Sequence, residues 1–259
     1  MKVVILAGGF GTRLSEVTHE IPKPMVYVGH RPMLWHIMNI YAHYGHEEFY
    51  LALGYKSEVV KEFFMNFYQI SNDIVVDLST GKLEAHGNNS ENWKVHMIET
   101  GLHTNTGGRV KRLENQIGKE TFMLTYGDGV ADININRLVD FHAEQVKRGK
   151  LVTISAVRPP SRFGGLVIEG NDVVDFTEKP QIGEGWINGG YMVCESGLLD
   201  YIGGDDDSLE SVALENIASD GKLAAYKHDG FWQCMDTLRD VRMMDALWKK
   251  DEAPWKVWA

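Results

Sequence analysis

Two cysteines are all the chain offers, Cys194 and Cys234, and no CxxC pair exists. That is too few for a disulfide framework, and the two thiols are expected to stay unpaired. Long apolar runs are missing too: no stretch approaches the roughly 18 uninterrupted apolar residues that a membrane span requires. Positive charge is also scarce, since 26 Lys and Arg face 36 Asp and Glu for a formal net charge of −10. Nucleic acid and anionic membranes are disfavoured as partners, because both are bound through clustered Lys and Arg that neutralise phosphates. An anionic substrate would therefore need a local cationic site. The start Met1-Lys2-Val3-Val4-Ile5-Leu6-Ala7-Gly8-Gly9 lacks the long apolar core and cleavage site of a signal peptide, so the cytoplasm is the expected compartment.

What is present begins with that first stretch. Lys2 to Ala7 is a β-branched apolar run that breaks into Gly8-Gly9-Phe10-Gly11-Thr12-Arg13-Leu14, the pattern of a buried parallel strand ending in a tight, ligand-facing turn. Glycines at 8, 9 and 11 permit positive φ and can leave several N–H groups pointing at one anion; Thr12 and Arg13 add a hydroxyl and a permanent charge. The loop suits a phosphate. It is not a Walker loop, for Gly11 is followed by Thr12-Arg13 and not by Lys-Ser/Thr. A dinucleotide fingerprint is also a poor match: Leu14 stands where the third glycine belongs, and the segment to Pro24 reads as a loop, not a helix.

The rest of the chain alternates. Helices are predicted over 32–44, 58–68, the segment opening at 104–109 and running through 117, 136–148, 209–217 and 238–249, with strands over 48–53, 74–78, 93–99, 122–126 and 150–157. Beyond Pro159 come short strands at 166–168, 173–176 and 191–194, and an edge strand at 223–226. With 259 residues, 44% hydrophobic and 24% charged, the expectation is a single α/β domain. Its sheet would be Rossmann-like, mixed but mainly parallel, and flanked by helices, with a small β-rich part. Residues 1–157 would serve mainly one ligand and 158–259 a second. The segment 79–92, rich in Gly, Asn and Ser, reads as an exposed loop or hairpin. The segment is a candidate for subunit contacts, for closure over a substrate or for flexibility, and the late tryptophans Trp248, Trp255 and Trp258 are candidates for packing against another subunit or domain.

Three short motifs carry two readings each. Thr104-Asn105-Thr106-Gly107-Gly108-Arg109 is either an anion-binding helix start or a plain one. Gly127-Asp128-Gly129 follows a strand and either presents a metal ligand or only turns the chain. Glu178-Lys179-Pro180 either binds a hydroxylated anion or is a solvated turn. Asp236 would pass as a helix cap.

Taken together, Leu6-Ala7-Gly8-Gly9-x-Gly11-Thr12-Arg13-Leu14 and Pro22-Lys23-Pro24-Met25 resemble the signature of the sugar-phosphate nucleotidyltransferases, the nucleotide-sugar pyrophosphorylases. Tyr126-Gly127-Asp128-Gly129, Arg162-Phe163-Gly164, Glu178-Lys179-Pro180, Ile187-Asn188-Gly189-Gly190 and Phe231 to Thr237 extend the likeness to nearly the whole chain. With Leu34 to Met38, Thr106 to Arg109 and Ala253-Pro254-Trp255-Lys256, the chain is most similar to the members that use CTP and glucose 1-phosphate. The resemblance implies catalytic roles for Arg13, Lys23 and Asp128. It also implies nucleotide contacts from Leu6, Ala7, Gly8, Gly9, Gly11, Thr12, Arg13, Lys23, Thr104, Thr106, Arg109 and Gly127. Sugar-phosphate contacts would come from Gly164, Glu178, Lys179, Asn188 and Gly189, and Mg²⁺ would be held by Asp128 and Asp236. A uridylyl- or thymidylyltransferase, and a non-catalytic module on the same fold, stay open as alternatives.

Overall fold

In the computed structural model, residues 1–14, 18–159, 165–169, 172–177 and 185–258 are described, with Arg13, 165–169 and 172–177 as backbone only. Strand β1 (Val3–Leu6) is buried along its whole length. Its alternation is the reason: Val3 and Ile5 enter one apolar cluster, Val4 and Leu6 another, so both faces of the sheet are covered. Around it lie β2 (Glu48–Leu53), β3 (Lys94–Glu99), β4 (Phe122–Tyr126), β5 (Val152–Val157), β6 (Ile187–Cys194) and β7 (Leu223–His228). They form one seven-stranded sheet in the order β7-β5-β6-β4-β1-β2-β3. Only β6 runs against its neighbours β4 and β5; the remaining pairings are parallel. The mixed, mainly parallel sheet matches the expected architecture, and β7 is the edge strand the sequence pattern called for.

One cluster packs α1 (Met33–His43) against the sheet; nine consecutive residues of this helix, Met33 to Tyr41, are buried, as suits an element apolar all round. α2 (Ser57–Met65), α3 (Thr106–Lys111), α4 (Ile135–Val146) and α5 (Leu238–Lys249) complete the principal helices. The region expected as loop before Pro24 carries two short 3-10 turns, Thr12–Leu14 and Lys23–Met25.

One departure stands out. The strand expected at 74–78 belongs to an antiparallel hairpin, Asp73–Asp77 with Lys82–His86, that lies outside the main sheet. Ile74, Val75, Val76, Leu78 and Leu83 are all exposed on it. Two of the late tryptophans, Trp248 and Trp255, pack around His36. Trp255 is fully buried and its Nε1–H donates to His36 Nδ1 at 3.4 Å, while Trp248 crosses the same imidazole edge-on with centroids 4.5 Å apart. Aromatic rings prefer such edge contacts. His36 Nε2 is 2.9 Å from the Val28 carbonyl, to which it donates. Burial drives the imidazole pKa down to about 4, so both ring nitrogens are satisfied in the neutral form.

Candidate active site

The carboxyl ends of β1 and β4 and the segment that follows β3 open into a cavity of about 470 Å³, the place where open α/β sheets take ligands. Of the residues expected to contact a nucleotide, Leu6, Ala7, Gly8, Gly9, Gly11, Thr12, Lys23, Thr104, Thr106, Arg109 and Gly127 all line it, with Asp128. The Arg13 side chain lies outside the described residues.

Among the described residues, none accepts a hydrogen bond from the N–H groups of Gly8 to Gly11. Gly11 has φ +64°, a conformation that costs glycine nothing. Gly8 is small for a different reason than a phosphate: a Cβ there would lie 2.3 Å from Arg109 NH1 and 2.8 Å from the Gly54 nitrogen. The buried Arg109 guanidinium packs under the loop. NH1 donates to the Leu53 carbonyl at 3.1 Å, Thr100 Oγ1 at 2.8 Å and the Gly101 carbonyl at 2.8 Å; NH2 reaches the Leu102 carbonyl at 3.3 Å. A guanidinium so engaged stitches the ends of β2 and β3 together. Burial and the neighbouring Arg112 lower its pKa, although an arginine stays charged in any case.

The second glycine-rich turn differs from the first. Asn105 N–H is taken by the Asp205 carbonyl at 2.8 Å, Thr106 N–H by Asn105 Oδ1 at 2.9 Å, and Gly108 N–H by the Asp207 carbonyl at 3.2 Å. Gly107 and Gly108 are small because the 205–208 backbone crosses them; a Cβ on Gly108 would stand 2.6 Å from Asp205 Cα. Its glycines are packing residues, so this turn is the plainer of its two readings where main-chain donors are concerned.

Lys23 is buried, with Nζ 2.7 Å from Asp128 Oδ2 and 2.7 Å from Asp236 Oδ1. Burial pulls its pKa down, but Asp128 and the hydrogen bonds to both carboxylates more than offset that and raise it. The aspartates, 108 positions apart in sequence, are brought together by a two-stranded antiparallel ribbon in which Gly129–Ala131 pairs with Trp232–Cys234. Met235 N–H closes it on the Asp128 carbonyl at 2.8 Å. The cap of α5 is Thr237, in a reciprocal capping box with Asp240, and not Asp236.

Ligating atoms of Asp128, Cys234 and Asp236 lie within 4.8 Å of one another. The two carboxylates are the hard oxygen donors that a divalent cation such as Mg²⁺ takes. The thiol contributes little to such a set, because a hard cation takes oxygen ligands in preference to sulfur. The residues thus fit a hard cation, which would share its carboxylates with the Lys23 ammonium.

A second cavity, about 460 Å³, adjoins the first and shares Tyr126 and Asp128 with it. Asn188, Gly189, Glu210, Trp232 and Asp236 are among its other walls. Asn188 and Gly189 lie in β6, where the register with β5 shifts, and Asn188 Oδ1 accepts from Gly190 N–H at 2.9 Å. Gly164, Glu178 and Lys179 fall outside the described residues.

Comparison with known proteins follows the same outline. Residues 2–252 match the model of the nucleotidyl transferase family. The chain belongs to that family. Curated relatives include the glucose-1-phosphate cytidylyltransferase of Salmonella typhi, 44% identical over 259 residues, and the probable glucose-1-phosphate cytidylyltransferase of Bacillus subtilis, 43% identical; each match covers 100% of both chains. Among solved structures, a putative glucose-1-phosphate thymidylyltransferase of Bacillus anthracis superposes with TM-score 0.67 at 18% identity, covering 95% of this chain and 94% of that one. At that identity the likeness is one of fold.

Three side chains of this nucleotidyl transferase's cavities escaped the sequence reading. Phe10 is 43% exposed and rests on Tyr55 and His103, with centroids at 5.1 and 6.0 Å, forming an aromatic rim. An exposed aromatic between glycines is a signal that could have been used. Tyr126 and Glu210 meet at the second cavity through a 2.6 Å hydrogen bond, and nothing local in the sequence links them.

Proposed function

We propose that this nucleotidyl transferase moves a cytidylyl group from CTP to α-D-glucose 1-phosphate, giving CDP-glucose and pyrophosphate. The observation that carries the reaction type is the meeting of two cavities at Asp128, beside Lys23. One cavity fits a nucleotide, with first-loop N–H groups on its wall that have no acceptor among the described residues; the other fits a sugar phosphate. The choice of CTP and glucose 1-phosphate draws on the full-length relatives, which carry that activity in their names.

A sugar-phosphate oxygen would attack the α-phosphorus while pyrophosphate departs in line on the far side, so no covalent enzyme nucleophile is required. Catalysis then comes from positioning and charge neutralisation. Arg13 is assigned to the triphosphate and the leaving pyrophosphate, and Lys23 to the phosphates at the reacting centre. Gly8 to Thr12 would receive phosphate oxygens; Thr104, Thr106 and Gly127 would contact the nucleotide, with Arg109 holding the floor beneath it. Asp128 and Asp236 would hold Mg²⁺, whose charge, when bound, neutralises phosphate oxygens. Gly164, Glu178, Lys179, Asn188 and Gly189 are assigned to the sugar phosphate on the strength of the resemblance. Cytoplasmic location and a homo-oligomer belong to the same proposal; light scattering against the 29.2 kDa chain tests the latter.

Pyrophosphate release from purified protein tests the reaction. It should require CTP, glucose 1-phosphate and Mg²⁺ together, and the product should be CDP-glucose by mass. Release without the sugar phosphate would mean hydrolysis, and would overturn the transfer.

A further inference from the structure

We propose that Glu210 is a positioning residue for this transfer: its carboxylate ties Thr106 of the first cavity and Tyr126 of the shared wall into one unit that keeps the two substrates at a fixed separation. This rests on the reading of the two cavities given above.

Glu210 stands at the start of the helical segment Leu209–Leu214, 104 positions from Thr106 and 84 from Tyr126. Oε1 accepts from Tyr126 Oη at 2.6 Å; Oε2 accepts from Thr106 Oγ1 at 2.7 Å and from Ser208 Oγ at 2.8 Å. The Thr106 hydroxyl is itself fixed, because the Leu209 N–H donates to it at 2.9 Å. Ser208 Oγ also caps the segment, accepting from the N–H groups of Glu210 and Ser211 at 3.2 Å each. Three hydroxyl donors and a capped backbone leave this carboxylate one orientation.

The Tyr126 ring is held from its other side as well. Gly190 has φ +83°, and a Cβ there would lie 2.8 Å from Tyr126 Cδ2. The ring is thus pinned between β6 and Glu210, where it lines both cavities. Burial raises the Glu210 pKa, but the hydrogen bonds from Tyr126, Thr106 and Ser208 outweigh it and bring the net value below the usual range, so the acceptor is ionised.

In a reaction that relies on holding two bound phosphates in line, a wall displaced by about 1 Å costs turnover more than it costs binding. Thr106 contacts the nucleotide side, Tyr126 faces both, and one carboxylate sets their relative place. A merely structural Glu210 would instead be read in stability.

The test compares wild type, Glu210→Gln, Tyr126→Phe and the double variant, in kcat at saturating substrates, in thermal midpoint, and in CTP dissociation constant without acceptor. Each single change should lower kcat about tenfold, and the double should be no worse than Glu210→Gln alone, since both break the Tyr126–Glu210 link and only Glu210→Gln also disturbs Thr106, with midpoint and CTP affinity near wild type. Multiplicative losses in the double variant, an unchanged kcat, or a loss that tracks the folded fraction would overturn the proposal. Wild type run in parallel separates the two readings: if it turns over a different nucleotide, the assignment of CTP fails, and the Glu210 comparison is read on that nucleotide.

Discussion

Lys23 bridges Asp128 and Asp236 at 2.7 Å to each, so its removal leaves two carboxylates facing one another in a partly buried place. Breaking such a cluster by deleting one partner typically costs about 3–5 kcal/mol. Lys23→Ala is therefore expected to have a lower thermal midpoint than wild type without metal, and to regain more of it when Mn²⁺ or Mg²⁺ is added. Turnover should fall about a hundredfold even at saturating Mg²⁺, as the loss of a charge contact in the transition state would produce. Equal midpoint gains in both proteins would place the metal elsewhere. Gly8 offers a second test at this scale. A Cβ at 2.3 Å from Arg109 NH1 has nowhere to go, because the guanidinium is fixed by carbonyls on three sides; Gly8→Ala should cost about 1–3 kcal/mol, read as a lower urea midpoint. An unchanged midpoint would show that the loop and Arg109 move independently.

Among the elements, α1 and the C-terminal segment meet around a neutral His36. Its folded pKa of about 4 lies below the unfolded value near 6.5, so the unfolded chain binds the proton first as pH falls. The stabilisation is complete above about pH 6.5 and is lost progressively down to about pH 4, by as much as about 3 kcal/mol. His36→Gln should flatten the fall in thermal midpoint between pH 6.5 and 4.5; an equally steep fall in the variant would assign the acid sensitivity to other groups. The hairpin Asp73–Asp77 with Lys82–His86 shows what local pattern cannot tell. Its run of β-branched residues, Ile74-Val75-Val76, is that of a core strand, yet no sheet partner beyond its own hairpin exists for it among the described residues. Conversely, Thr104 to Arg109 has the composition of a phosphate turn, and the carbonyls of Asp205 and Asp207 claim its N–H groups from a hundred residues away.

At the scale of the whole molecule, an acidic chain of formal charge −10 is proposed to take two anionic substrates. The answer lies in local placement: main-chain N–H groups at the end of β1, a lysine beside them, and a mainly parallel sheet whose carboxyl ends gather both. Much of this was legible in the residues. Strand β1 and its glycine loop announce themselves because burial and turn chemistry act over a few adjacent positions. The meeting of Asp128 with Asp236 was not legible from spacing, since it depends on the pairing of Gly129–Ala131 with Trp232–Cys234. Glu210 was missed for the same reason, as were the packing roles of Gly8, Gly107 and Gly108, each set by a partner distant in sequence. Resemblance to a family, not periodicity, pointed to the two aspartates as a pair.

Competition between nucleotides is the decisive test of the proposed cytidylyl transfer to glucose 1-phosphate. Purified protein with Mg²⁺ and glucose 1-phosphate would be offered CTP, UTP, dTTP, ATP and GTP at equal concentration, and the nucleotide sugars formed would be separated by mass. CDP-glucose should dominate the products. Dominance of another nucleotide diphosphate glucose would contradict the choice of base, and no nucleotide sugar at all from folded protein would contradict the transfer itself.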